Sequence, residues 1–244
     1  MSPTPLLLHR ADLDRLISLL AERGYEVIGP TVRKQEHIIS YGEVSSTDDL
    51  PIGVGDEQEA GKYRLVARGD DKLFGYVLTD SSPISYLLPA EAVVWAGRRN
   101  GNGFETVERP APPRYAFIGV RPCELAAIAI QDNVFQGEEA SCPTYAGRRD
   151  RTFIVSVDCT EPGGTCFCTS MGTGPAADHG YDIKLVEVLD DDDHYFVAEA
   201  GSEPGGEVLA ELGAEAADDG RVAAAKGLVG EAAGKMGRTL DTDG

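Results

Sequence analysis

At 244 residues the chain is long enough to bury a hydrophobic core of its own and needs no disulfides to hold it together. Its 41 acidic residues against 22 basic ones give a formal net charge of −19, which argues against nucleic acid or an anionic membrane as a partner. No window approaches the roughly 18 apolar residues of a membrane span and no apolar run follows a basic start, so the chain reads as cytoplasmic, where clustered cysteines stay reduced.

Residues 11–23 place Leu13, Leu16, Ile17, Leu19 and Leu20 at helical spacing, with Gly24 as a stop signal, and predict an amphipathic first helix. "YEVIGPTVR" and "HIISYGEV" then read as short strands, the first broken at Gly29-Pro30. "KYRLVAR" and "FGYVLT" read as two more, separated by the turn-like "GDDK". The first half is thus expected to be a β-rich meander ending at "TDSSP".

From Pro110 the pattern changes. "RYAFIGV" (114–120) is a near-continuous apolar run, as in a strand buried on both faces, and "RPCELAAIAIQDNVF" follows as a helix with Pro122, Cys123 and Glu124 in its first turn. "RTFIVSV" (151–157) is a second buried strand, so strand, helix and strand form a βαβ unit with parallel strands. The fold class expected is α/β: an N-terminal helix and β-rich meander leading into a βαβ unit with a mainly parallel or mixed sheet. Residues 1–200 are read as one domain. Residues 201–244, rich in Ala, Gly and Glu, can form short helices and are read as the start of a linker.

Three of the five cysteines fall within "VDCTEPGGTCFCTSMGTGP" (157–175). Ligands of an open parallel sheet bind beyond the carboxyl ends of its strands. Cys123 follows the first buried strand and Cys159 the second, so the βαβ reading brings Cys123 beside Cys159, Cys166 and Cys168. The helix N-terminus and Arg121 are expected to favour the Cys123 thiolate, the form a metal requires. Gly163, Gly164, Gly172 and Gly174 suit a loop wrapped around a bulky core. Four thiols fit a cubane [4Fe–4S] cluster or a tetrahedral zinc, and the soft ligand set with the glycine loop favours iron–sulfur.

Cys142 lies in the connection between helix and second strand and reads as a bystander. His9, His37, His179 and His194 have no cysteine or carboxylate at a metal spacing. The glycine-rich stretches lack a full dinucleotide fingerprint, and no P-loop is present. A nucleophilic Cys123 lacks a histidine placed by local sequence to serve as its base.

With "FIGVRPCELAAIAIQDNVF" and "IVSVDCTEPGGTCFCTSMGTGP" in view, the chain resembles the iron–sulfur beta subunits of cytoplasmic sulfhydrogenases and the related A subunit of anaerobic sulfite reductase, across roughly residues 60 to 190. The resemblance implies an electron-transfer subunit, not catalytic alone, which links a flavin-containing NAD(P)H-linked subunit to a catalytic hydrogenase or sulfite reductase subunit. It also implies Cys123, Cys159, Cys166 and Cys168 as ligands of a [4Fe–4S] cluster, with Arg121, Glu161 and Thr165 packed behind them. Proteins of that family continue into a ferredoxin-like segment holding two further clusters. No cysteine follows Cys168 here, so the chain is expected to represent the N-terminal domain alone. A reading from a different class is a scaffold domain that docks a larger enzyme, its cysteine loop holding zinc or nothing.

Overall fold

The computed structural model describes residues 4–33, 37–78, 81–93, 95–101, 103–107, 111–137, 141–190 and 193–242. The fold is α/β, built on one eight-stranded mixed sheet. Its centre is four parallel strands: β2 (Glu26–Arg33), β8 (Tyr115–Val120), β9 (Phe153–Val157) and β10 (Ile183–Leu189). Antiparallel strands close both sides. β3 (Ile38–Glu43) pairs with β2, while β11 (His194–Ala200), β1 (Leu6–His9) and β12 (Glu215–Ala216) continue outward from β10.

The central strands are where the sequence is most apolar. Every residue of β8 and of β9 is buried, as expected for strands covered on both faces. The first helix, α1 (Asp12–Glu22), buries the five apolar residues read from its spacing, and its Asp14 carboxylate accepts from the backbone N and the hydroxyl of Thr47. The helix α3 (Pro122–Phe135) follows β8 directly, with Pro122 in its first turn, and buries Leu125 and Ile128. In β8 the parallel register with β9 shifts between Ile118 and Val120. Gly119 there has φ 81°, and a Cβ on it would stand 2.8 Å from the ring of Phe74.

Two expectations about the first half need correction. The strand over 25–33 is not broken at Gly29-Pro30: β2 runs through both residues. Its pairing with β8 covers only Glu26 to Ile28, so no β8 carbonyl calls for the N–H that Pro30 lacks. "FGYVLT" is not a strand over its described part, residues 74–78 (Thr79 lies outside the described residues). Two of its amides are taken by side chains: Glu187 accepts from the backbone N of Phe74, as it does from the preceding Leu73, and Asp56 accepts from that of Val77. "KYRLVAR" supplies β5 (Lys62–Ala67), whose partner is the polar strand β4 (Val54–Glu59). The strands of the first half therefore divide between the main sheet and separate hairpins, the second of these being β6 (Gly97–Asn100) with β7 (Gly103–Thr106).

The segment expected as the start of a linker is folded. α5 (Glu203–Glu211) places Val208 and Leu209 in the main core, β12 pairs with β1, and α6 (Asp219–Ala233) packs Ala225 and Val229 against Val186, Val188, Tyr195 and Val197. Ser202 and Asp218 cap the two helices through their side chains. Among the described residues no helix is long and apolar enough to cross a membrane.

Candidate functional site

Val120 of β8 stands opposite Ser156 of β9 in parallel register, so the two strands end at one edge of the sheet. Arg121 caps α3 and Cys123 lies in its first turn, while Asp158 and Cys159 leave β9. β9 and β10 are also parallel neighbours, and parallel neighbours need a crossover, usually a helix. Here the crossover is the irregular segment 158–182, which carries Cys159, Cys166 and Cys168. A loop this long without a helix points to a functional segment.

The crossover is held by its own backbone and by the β4–β5 hairpin. Cys159 N donates to the Pro175 carbonyl at 3.0 Å, Cys166 N to that of Gly163 at 3.0 Å, and the Cys168 carbonyl accepts from Met171 N and Thr173 N. Glu161 binds Arg68 at 2.5 Å and Lys72 at 2.6 Å, and Thr165 Oγ1 donates to Gln58 Oε1 at 2.6 Å. Gly164 owes its place to this hairpin, because a Cβ there would overlap the Gln58 carbonyl oxygen. At Gly174 the close neighbour is a sulfur: a Cβ would stand 3.1 Å from Cys168 Sγ. The C-terminal stretch closes the far side, where Arg238 N donates to the Cys166 carbonyl and Leu240 N to Ser170 Oγ.

Between α3 and the crossover lies a cavity of about 560 Å³. Cys123, Cys159, Cys166 and Cys168 all line it, with Arg121 and Thr165 in its walls and Ile130, Phe167 and Met171 exposed around it. The structure thus brings together four of the five cysteines and two of the three supporting residues. Glu161 does not line the cavity; it anchors the loop from behind through Arg68 and Lys72. Cys142 caps α4 (Pro143–Arg149) and packs in a separate apolar cluster, and none of the four histidines borders the cavity. Among the described residues, no three or more His, Cys, Asp or Glu side chains come together as the ligands of a single ion.

The expected preference for a Cys123 thiolate is corrected. Burial, followed by the charge of Glu124 and the neighbouring Cys168, Cys159 and Cys166, pushes the Cys123 thiol up to about 12. Burial likewise raises Cys166 and Cys168. Cys123 is open to the cavity but walled by protein on its other sides, so access to solvent does not amount to full solvation. The helix terminus is outweighed, and the Arg121 guanidinium is directed elsewhere. Its Nη2 donates to the carbonyls of Phe74 at 2.5 Å and Tyr76 at 3.0 Å, and its Nη1 reaches the Asp158 carbonyl at 3.4 Å. Without a metal Cys123, Cys166 and Cys168 hold their protons, and a metal would have to displace them.

Several polar residues of the site escape a reading by sequence. Glu187, 1% exposed in β10, fixes the segment after β5 through Leu73 N and Phe74 N and meets His194 Nε2 at 2.9 Å. A single acid inside the apolar run "IKLVEVL" was the available signal. Glu124, beside Cys123, accepts from Tyr41 OH at 3.0 Å and from Arg121 N at 2.9 Å, and burial pushes its carboxyl up to about 7. Arg68 precedes and Lys72 ends the stretch "GDDK" that reads as a turn, and nothing local announces their distant partner Glu161.

No model of a known protein family matches the chain, and no curated protein matches it either. The resemblance therefore rests on the two cysteine-bearing motifs alone.

Proposed function

We propose that the chain is an iron–sulfur electron-transfer subunit of a multisubunit oxidoreductase, of the NAD(P)-linked hydrogenase, sulfhydrogenase or sulfite reductase type, and that it has no turnover alone. The observation that carries this reading is that Cys123, Cys159, Cys166 and Cys168 line one cavity at the carboxyl edge of the parallel strands. A single tetrahedral zinc would hold its sulfurs at about 2.3 Å from one point, whereas a cluster spreads its ligands around a larger body. Four thiols lining one cavity are the soft ligand set such a body requires. When bound, a [4Fe–4S] cluster supplies reversible one-electron transfer.

The protein's own part is to supply four ligands from two segments and to exclude bulk water with apolar walls. Exposed Ile130, Phe167 and Met171 leave an apolar rim against which a redox partner can close. The partners proposed are a flavin-containing NAD(P)H-linked subunit on one side and a catalytic hydrogenase or sulfite reductase subunit on the other, in the cytoplasm. Iron and acid-labile sulfide on anaerobically purified protein test the reading.

The second reading is a scaffold domain whose cysteine loop holds zinc or nothing and which docks a larger enzyme. Metal analysis separates the two readings, since only the first requires iron with sulfide.

A further inference from the structure

Arg121 is the one cation among the residues that line the cavity, and it is 6% exposed. Its guanidinium donates only to backbone carbonyls, those of Phe74, Tyr76 and Asp158, and among the described residues it forms no ion pair. Carbonyls satisfy its N–H groups but do not neutralise its charge. The carboxylates in its field are engaged elsewhere: Glu187 with Leu73 N, Phe74 N and His194, Glu124 with Tyr41 and the Arg121 backbone, Asp158 with Ala177 N, and Asp56 with Val77 N. A permanent charge kept out of water is costly unless paired, so this arrangement lacks an anion. Its Nη1 contact with the Asp158 carbonyl sets the guanidinium next to the residue that precedes Cys159, and the group lies 5.8 Å from the centroid of the Tyr76 ring.

We propose that Arg121 is the counter-ion of an anionic metal–thiolate centre held by Cys123, Cys159, Cys166 and Cys168, a positioning residue that retains the centre and sets its potential. The inference rests on the electron-transfer reading for its ligand set. A metal centre with four thiolate ligands carries net negative charge, and each added electron deepens it. A fixed cation beside Cys159 therefore favours both occupancy and the reduced state.

The test loads full-length protein anaerobically with ferrous iron and sulfide, as wild type, Arg121→Gln and Arg121→Lys. Competition with a ferrous chelator and the midpoint potential are read, with folding checked by circular dichroism. The glutamine variant keeps an N–H donor and loses the charge; the lysine variant keeps the charge and loses the planar fork. Arg121→Gln is expected to hold iron about 10-fold or more weakly, at a lower midpoint potential, with Arg121→Lys close to wild type in both. A loaded wild type matched by Arg121→Gln, or Arg121→Lys as impaired as Arg121→Gln, overturns the inference and leaves the electron-transfer reading standing. Should Arg121→Gln not fold, Arg121→Lys decides: wild-type retention and potential support the inference, and loss of either overturns it. If wild type takes zinc but no iron, the electron-transfer reading fails, and the same comparison by zinc competition supports or overturns the counter-ion. Wild type that binds neither metal overturns both.

Discussion

Cys123 and Cys159 start from neighbouring parallel strands: each lies three positions past a residue of the pair Val120 and Ser156, which stand opposite one another. Sheet register, rather than a local cysteine motif, brings Cys123 to the loop that carries Cys159, Cys166 and Cys168.

That relationship separates the cysteines by role. If the proposed cluster is held there, Cys123→Ala or Cys166→Ala in reconstituted protein is expected to lose or destabilise it, because one missing ligand would open an iron to solvent. Cys142→Ala, which changes a residue of a separate apolar cluster, is expected to leave iron content at the wild-type level. Iron analysis after gel filtration checks this. An essential Cys142 beside a dispensable Cys123 would refute the βαβ argument.

The raised thiol of Cys123 has a kinetic consequence. The thiolate is the nucleophile, and a thiol at about 12 in place of 9.0 carries about a thousandfold less of it at neutral pH. Metal-free folded protein is expected to alkylate Cys123 about a thousandfold more slowly than denatured protein at pH 8, as followed by peptide mass spectrometry. Equal rates would show that the thiol is not held in its protonated form.

Much of this site is legible from residues 114 to 168, because strands buried on both faces announce themselves as unbroken apolar runs and the first turn of α3 as "RPCE". What surrounds it is less so. β4 is polar because it belongs to an exposed hairpin, and the pairing of β2 with β8 joins residues far apart in sequence. Residues 74–78 have the composition of a strand, yet the amide of Val77 goes to Asp56, and Glu187 takes that of Phe74 with that of Leu73. A propensity argument has no access to carboxylates supplied by distant strands.

Glu124 links the site to stability. Its carboxyl, ordinarily near 4.5, is raised to about 7 by burial, so the folded state binds the proton more tightly than the unfolded state does. The stabilisation is full below pH 4.5 and is lost as pH rises to about 7. Glu124→Gln keeps an acceptor for Tyr41 and for Arg121 N but cannot ionise. Relative to wild type it is expected to gain about 2–3 kcal/mol between pH 4.5 and pH 8. Urea unfolding of the metal-free proteins at both pH values measures this, and parallel pH dependence of the two would contradict it.

Glu161 anchors the cysteine loop to Arg68 and Lys72. Among the described residues, Glu161→Ala leaves the nearly buried Lys72 ammonium with only the hydroxyl of Thr160, at 3.2 Å. A loss of about 1–2 kcal/mol is expected, below the cost for a fully buried pair because Glu161 is partly exposed. Proteolysis within residues 158–182 should quicken, and a variant cut at the wild-type rate would show that Arg68 and Lys72 do not hold the loop.

The most direct test of the central claim is iron and acid-labile sulfide content, with an EPR spectrum of the dithionite-reduced, anaerobically purified protein. The account predicts about four irons and four sulfides per chain with an S = 1/2 signal. Zinc, or no metal after reconstitution with iron and sulfide, would contradict it.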